Sequence, residues 1–472
     1  MYYFFATTVD TTTIRHAPPG PKGSPLLGIT TQVRKDPLGY FARAAAEYEG
    51  LSMLPVGLDK VYLLNSPATL KHVLVTNWRN YRKSDFYNKL RPLFGEGIVT
   101  NDGDLWRRQR QLMNPAFHGD SLQRIGQVMR TATDEKISTW RDRPAGQAFN
   151  MSTEITELSL AIVMESLFAS DAKGRSDAIA HAVDTMIEVC ERRVWAVPDL
   201  HNLPVSPLYW RHRRARAALD EIVFDIIERR LHSGNAGNDL LGMLLSARDP
   251  ETGEGMTLTQ LRDETTTLLV TGHESTANAA VWVFYTLAQH PDIEAKVRDE
   301  IDRVCGNATP TDEDLRKLTY QRMVIEEVMR LYPPAWTVSR TAIEDDVIDG
   351  YAVPAGTNMM VSPFVIHRNP RYWPDPERLD PMRFAPEQRE NRPKFAYIPF
   401  AGGPRNCIGM NFAMMELQIV VTMMTQAFHT KMAPQPPIER EAILSIRPKN
   451  GIQFVADAVV PIDSQIFTSA AA

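Results

Sequence analysis

Apolar positions recur at helical spacing along most of the chain. They predict helices at 37–49, 66–77, 102–113, 121–140, 151–169, 176–192, 207–232, 257–289, 291–304, 319–331 and 408–428. Strand patterns are fewer. Leu51–Leu64 alternates around Gly57, and Val347–Ile348 and Tyr351–Val353 flank an Asp349-Gly350 turn, with Met359–Ser362 following. The expected fold class is mainly α with a small β region. Residues 18–28, PPGPKGSPLLG, are too rich in proline and glycine for helix and predict a stiff extended leader. No repeat or linker follows. The expectation is a flexible tail over 1–17, a single large domain over 18–462, and a second flexible tail over 463–472.

The helix at 257–289 interrupts its own pattern. Thr257 and Gln260 form a capping-box pair, and Pro291 closes the run. At 1.5 Å per residue it would reach about 50 Å, the width of a domain. Gly272 sits in its middle, followed by His273, Glu274, Ser275 and Thr276, with Leu268-Leu269-Val270 before and Ala279 to Tyr285 after. Polar groups buried at such a point are costly unless satisfied. The knot is therefore either an internally bonded kink or a proton-handling site beside a ligand.

Charge and composition narrow the classes. The net charge of −5 gives no general reason to bind nucleic acid. Three cysteines, Cys190, Cys305 and Cys407, cannot form a disulfide framework and suit a reducing compartment. No membrane span is visible. The expected location is cytoplasmic.

Cys407 is the residue with the most chemistry around it. It lies in Phe400-Ala-Gly-Gly-Pro-Arg-Asn-Cys407-Ile-Gly409, a glycine-rich turn just ahead of an apolar helix. Backbone N–H groups and the positive helix end favour thiolate, which can ligate a metal or act as a nucleophile. The run resembles the haem-binding signature of the cytochrome P450 family, Phe-x-x-Gly-x-Arg-x-Cys-x-Gly, at every fixed position. Other motifs of that family follow in the same order. Glu327-Val-Met-Arg330 matches its Glu-x-x-Arg, and Pro381-Met-Arg383-Phe384 matches its Pro-x-Arg-Phe. Trp106-Arg-Arg-Gln-Arg110 matches its Trp-x-x-x-Arg. Thr271 to Thr276 is similar to its [Ala/Gly]-Gly-x-[Asp/Glu]-Thr-[Thr/Ser], with Thr271 and Ser275 as departures. Position 277 is alanine, so His273-Glu274 cannot begin a zinc-binding His-Glu-x-x-His.

The resemblance implies a haem-thiolate monooxygenase of the soluble bacterial type, with haem b (iron protoporphyrin IX) as cofactor. Cys407 would be the metal ligand. Trp106, Arg110, Arg340, Phe400, Arg405 and Gly409 would contact the haem, the arginines and the indole serving its propionates. Glu327, Arg330 and Arg383 would form a structural triad. Glu274 with Ser275 or Thr276 would deliver protons, and which hydroxyl does so stays open. Phe86, Leu268, Trp336, Thr337, Val338 and Leu444 would line a pocket for an apolar substrate, a fatty acid, terpenoid or similar molecule, alongside O₂. The 93–118 stretch is similar to branches that hydroxylate such compounds. No flavin or iron–sulfur motif is visible, so electrons would come from a ferredoxin or flavodoxin and its NAD(P)H-dependent reductase. Arg107, Arg108, Arg110, Lys317, Arg322 and Lys394 would supply a basic docking face. A haem-thiolate isomerase or dehydratase needing no O₂, and a non-catalytic haem-binding protein, are the alternatives.

Overall fold

The computed structural model describes residues 15–194, 196 and 203–459. The expected tails fall outside these, except for residues 15–17. The chain forms two compact units, each built from separated segments. Of the described residues, the first combines those up to Asp85 with 337–376 and 392–406; the second holds those of 86–336, 377–391 and 407–459.

The first unit is organised on a five-stranded sheet in the order Gly50–Val56, Asp59–Asn65, Asn358–Val361, Val338–Ala342, Tyr81–Lys83. The expected Asp349-Gly350 hairpin is present, and the alternation around Gly57 proves to be a second one. Val56 pairs with Asp59 across a two-residue turn in which Gly57 has φ +62°, the conformation that places glycine first in such turns. Ile348 pairs with Tyr351, and Asp349 and Gly350 both take positive φ, which is why Asp-Gly favours this turn. The proline-rich leader runs along the first hairpin. Met53 donates its N–H to Pro19, and a Cβ on Gly20 would come within 1.9 Å of the Met53 carbonyl. The unit's core gathers Leu51, Leu64, Leu74, Tyr81, Met359 and Val361.

The helix expected at 66–77 starts as Pro67–Lys71 but widens into a π-turn over His72–Thr76. Asp346 explains what the distorted turn is fastened to. Its Oδ2 accepts from Tyr81 Oη at 2.6 Å, His72 Nε2 at 2.7 Å and Asn77 Nδ2 at 3.0 Å, and its Oδ1 accepts from the Val347 N–H at 2.8 Å.

The second unit is helical. Its long helix, Leu258–Gln289, begins with the expected box: Gln260 N–H donates to Thr257 Oγ1 and Thr257 N–H to Gln260 Oε1. It packs against Met151–Phe168, Met410–Ala427 and Thr319–Leu331. Gly272 lies where the first of these approaches. A Cβ there would stand 3.1 Å from Val163 Cγ2, so a mid-helix glycine, which costs about 1 kcal/mol in propensity, permits close packing. Trp282 stacks on Tyr332 at 4.2 Å and donates to the Ile446 carbonyl. Strands Phe149–Asn150, Gln453–Ala458 and Phe428–Met432 form one sheet, and Arg440–Ala442 with Ile446–Pro448 forms a hairpin.

The pattern missed short elements. Leu240–Ser246 and Asp312–Lys317 are too brief for a periodic signal, and Val338–Ala342 and the strands after residue 427 are defined by distant partners.

Burial works against the Asp346 charge, but the hydrogen bonds from His72, Tyr81, Val347 and Asn77 outweigh it and hold the carboxyl well below its ordinary 3.8. A lowered acid stabilises the fold above pH 3.8 and loses that contribution as pH falls further. Asp346→Ala strands three side-chain donors and is expected to cost about 2–3 kcal/mol. Urea unfolding at neutral pH and near pH 3 measures both: the gap between parent and variant should narrow in acid.

Candidate active site

Cys407 opens the second unit's last long segment. Gly409 is the N-cap of helix Met410–Ala427, and its N–H bonds the Cys407 sulfur. Burial pushes the thiol up; the Gly409 N–H and the Arg110 charge pull the other way. The side chain is nevertheless accessible by surface area. Cys190 is buried and Cys305 half-buried.

Trp106 and Arg110 share one face of helix Gly103–Met113. Trp106 is buried, and Arg110 is half-buried, its charge opposed by burial and favoured by Cys407. In the first unit, Phe400 is half-buried and Arg340 is buried, donating to the Ser339 carbonyl. Arg405 donates to the carbonyls of Trp78 and Tyr81 at 3.2 and 3.0 Å and lies over the Trp78 ring. Gly403 has φ +72°, and a Cβ on it would meet the Leu74 carbonyl at 1.8 Å, so this turn requires glycine.

Glu327 and Arg330 form a fully buried two-pronged ion pair at 2.7 and 2.8 Å. Arg383 Nε stands 3.5 Å from the same carboxylate, and the Asp380 N–H donates to it at 2.9 Å. The three residues thus meet around one carboxylate, linking helix Thr319–Leu331 to the turn Pro381–Phe384.

The knot on the long helix is internally bonded. Thr271, Ser275 and Thr276 donate to the carbonyls of Thr267, Thr271 and Gly272, and His273 Nδ1 donates to Leu269 O at 2.7 Å. Burial drives the His273 imidazole toward its neutral form. Ser275 is half-buried, whereas Thr276 is buried against a narrow void with Ile155, Ser159, Ala280 and Glu416. Ser445 donates to Glu274 Oε1 at 2.6 Å.

Of the pocket candidates, Leu268 is buried, Trp336 is buried with its Nε1 donating to the Ile443 carbonyl, and Leu444 is half-buried next to that contact. Phe86, in the same unit, is the most open, at 39%. Thr337 donates to Val361 O at 3.4 Å, and Val338 packs on the sheet core; both belong to the first unit.

Several basic residues already hold local partners. Arg107 pairs with Asp104, Lys317 with Glu313, Arg322 with Glu326, and Arg108 with Asp249 and Glu254. Lys394 is exposed.

Sequence reasoning did not find Ser445, Asn278, Ser159 or Glu416. Glu416 left a signal, as the one charged residue of the apolar helix Met410–Ala427. Ser445 left none beyond adjoining Leu444.

Residues 18–455 match the family model for cytochrome P450. The chain belongs to the cytochrome P450 family. It is 32% identical over 417 residues to cyclooctat-9-en-7-ol 5-monooxygenase of Streptomyces melanosporofaciens, covering 88% of this chain and 89% of that one. It is 30% identical over 469 residues to cytochrome P450 4V2 of Homo sapiens, covering 93% and 89%. The cytochrome P450DA haem domain shares its fold at a TM-score of 0.85 and 24% identity, over 95% of this chain and 99% of that one. As a P450, the chain has the mainly α architecture read from its sequence and the general oxidoreductase character of the family, whose cofactor is haem. Among the described residues no helix is long and apolar enough to cross a membrane. The donor set at Cys407 fits a haem iron: one accessible sulfur, with an N–H and a guanidinium to favour its anionic form.

Glu416 is the unusual ionisable group of this P450. Its Oε1 lies 2.5 Å from Ser159 Oγ, and its buried Oε2 has no hydrogen-bond partner. Ser159 Oγ also lies 3.1 Å from His273 O. One hydroxyl proton cannot serve both acceptors, so a protonated Glu416 that donates to Ser159 completes the chain. Burial indeed pushes Glu416 from 4.5 up to about 8, against the Ser159 bond. An acid raised in the fold stabilises it below pH 4.5 and loses that contribution as pH rises through about 8. Across this window stability should fall by up to about 1.4 kcal/mol per pH unit. Glu416→Gln keeps a neutral amide, and thermal unfolding against pH should lose that slope.

Proposed function

We propose that this P450 is a haem-thiolate monooxygenase in which Cys407 is the axial ligand. The observation that carries the reading is the accessible Cys407 thiol, set at a helix N-terminus with the Gly409 N–H and the Arg110 charge turned toward it. Trp106, Arg110, Arg340 and Arg405 would hold the propionates, with Phe400 and Gly409 beside the ring. The buried cluster of Glu327, Arg330 and Arg383 would keep the chain around the cysteine in shape. When bound, the haem supplies the activation of O₂; the thiolate ligand favours O–O cleavage.

The chain's own part is orientation and proton supply. Overall, NAD(P)H, a proton, O₂ and an apolar substrate give hydroxylated substrate, water and NAD(P)⁺. Failed proton delivery diverts the same electrons to hydrogen peroxide. Glu274 would bring protons in, and Ser275 would pass them on. Ser275 is favoured over Thr276 because Thr276 is buried on the side of Ser159 and Glu416, while Ser275 is half-open. Leu268, Trp336 and Leu444, with Phe86, Thr337 and Val338, would meet the substrate. Their apolar surfaces suit a fatty acid, a terpenoid or a similar molecule. The similarity to a monooxygenase named for cyclooctat-9-en-7-ol supports such a compound. Electrons would arrive from a ferredoxin or flavodoxin with its reductase. The Arg107–Asp104 and Lys317–Glu313 pairs are exposed, hence weak, and leave those cations available to an acidic partner, whereas Arg322 faces the buried Glu326. Cytoplasmic placement suits the cysteine usage.

Cys407→Ser should abolish the red-shifted Soret band of the reduced CO complex, while Cys190→Ser and Cys305→Ser should retain it. A Cys407→Ser protein with that band intact would refute the assignment.

Ser275→Ala should leave haem and substrate binding unchanged, yet lower the ratio of product to peroxide by about a hundredfold, the lower range of a lost acid–base group. Thr276→Ala should do so less. Equal coupling in both variants and the parent would remove these hydroxyls from the relay.

A further inference from the structure

The hairpin Arg440–Ala442 and Ile446–Pro448 is fastened to the helical unit at both of its sides. Ile446 donates its N–H to Pro334 O at 3.1 Å, and its carbonyl accepts from Trp282 Nε1 at 3.1 Å. Its turn carries a buried hydroxyl, Ser445, which meets two side chains of the long helix. Asn278 Nδ2 donates to Ser445 Oγ at 2.8 Å, and Ser445 Oγ donates to Glu274 Oε1 at 2.6 Å. Glu274 and Asn278 are four residues apart, so they share one helix face, and a single hydroxyl bridges them. With Glu274 ionised the direction is fixed. An amide nitrogen only donates and a carboxylate only accepts, so the one Ser445 proton goes to Glu274 Oε1.

Two residues further on, Arg447 grips Glu191 of helix Ser176–Val194 with both terminal nitrogens, at 2.7 and 2.9 Å. The Glu191 charge bears on Glu274, and Arg447, which also holds Glu441 at 3.0 Å, offsets it. The charged and titratable groups around Glu274 are thus His273, with Asp184 beside it, and Glu191 from the helices, and Arg447 and Glu441 from the hairpin.

We propose that Ser445 is a positioning residue for proton delivery: it ties Glu274 Oε1 so that Oε2 is the oxygen that takes and gives the proton, while Arg447 offsets the neighbouring Glu191. This rests on reading Glu274 as the relay acid. Loss of the donor disfavours the carboxylate, so Glu274 should hold its proton to higher pH without Ser445.

The test uses the holoenzyme with a surrogate redox partner and an accepted substrate, reading product formed per NAD(P)H against pH. Ser445→Ala should lower coupling by about fivefold, the worth of one hydrogen bond near 1 kcal/mol, and move the acid-side midpoint upward. Ser445→Thr, which keeps the hydroxyl, should restore both. In a Glu274→Gln background Ser445→Ala should add nothing. Independently of turnover, the infrared carbonyl band that Glu274→Gln removes should titrate at higher pH in Ser445→Ala than in the parent. Should that variant not fold, Ser445→Cys, a weaker donor of similar shape, carries the same expectations. An unshifted midpoint and carbonyl band, or an equal loss of coupling in both backgrounds, would overturn the proposal. A parent lacking the red-shifted Soret band would instead overturn the haem-thiolate reading, whatever Ser445 does.

Discussion

A helix of 32 residues that buries His273 and Thr276 and half-buries Glu274 and Ser275 in its middle must find partners for these polar groups, and much of the second unit is arranged around that demand. The helix meets part of it alone, through hydroxyls and an imidazole bonded one turn back. The rest comes from elsewhere. Ser159 reaches the His273 carbonyl, and Ser445 reaches Glu274 and Asn278. Gly272 eases the first of these, because a Cβ there would crowd Val163 of the Met151–Phe168 helix at 3.1 Å. An unsatisfied buried polar group costs about 1–3 kcal/mol, so partners drawn from three elements hold those elements in one arrangement.

Buried charge follows the same economy in the Glu327 cluster. One carboxylate accepts from Arg330, stands near Arg383 and takes the Asp380 N–H. Burial pushes Glu327 up, and the two guanidinium groups and that N–H act against it. Such a site is weak evidence of stability, since apolar residues of equal volume can do as well. What it supplies is a fixed geometry between a helix and a distant turn.

The parts of the fold legible in the sequence are those whose cause is local. The long helix announced itself through Thr257, Gln260 and Pro291, and the two hairpins through Gly57 and Asp349-Gly350, because caps and turns depend on residues a few positions apart. The cysteine turn was legible through the spacing of its glycines, Arg405 and Cys407, although what Gly403 and Arg405 touch, Leu74, Trp78 and Tyr81, lies more than 300 residues away and was not. What stayed hidden is long-range. Ser445 lies 171 residues from Glu274, and Ser159 lies 257 from Glu416, and no periodicity in either segment marks the meeting.

The hydrogen bonds of the knot also constrain how a proton could move through it. Each hydroxyl there already gives its proton to a carbonyl four residues back, a bond that suits a helix interior but leaves only lone pairs to offer. In the proposed relay Ser275 must therefore accept a proton before it can deliver one, and then turn about χ1 to release it. Threonine would resist that turn, since its methyl restricts χ1 inside a helix. Serine has no such methyl, and it stands at the half-open position while the threonine is packed beside Glu416. The departure from the family's usual threonine thus falls where freedom to rotate is useful. The adjacent carboxylate, tied at one oxygen by Ser445, need not move for the hydroxyl to do so.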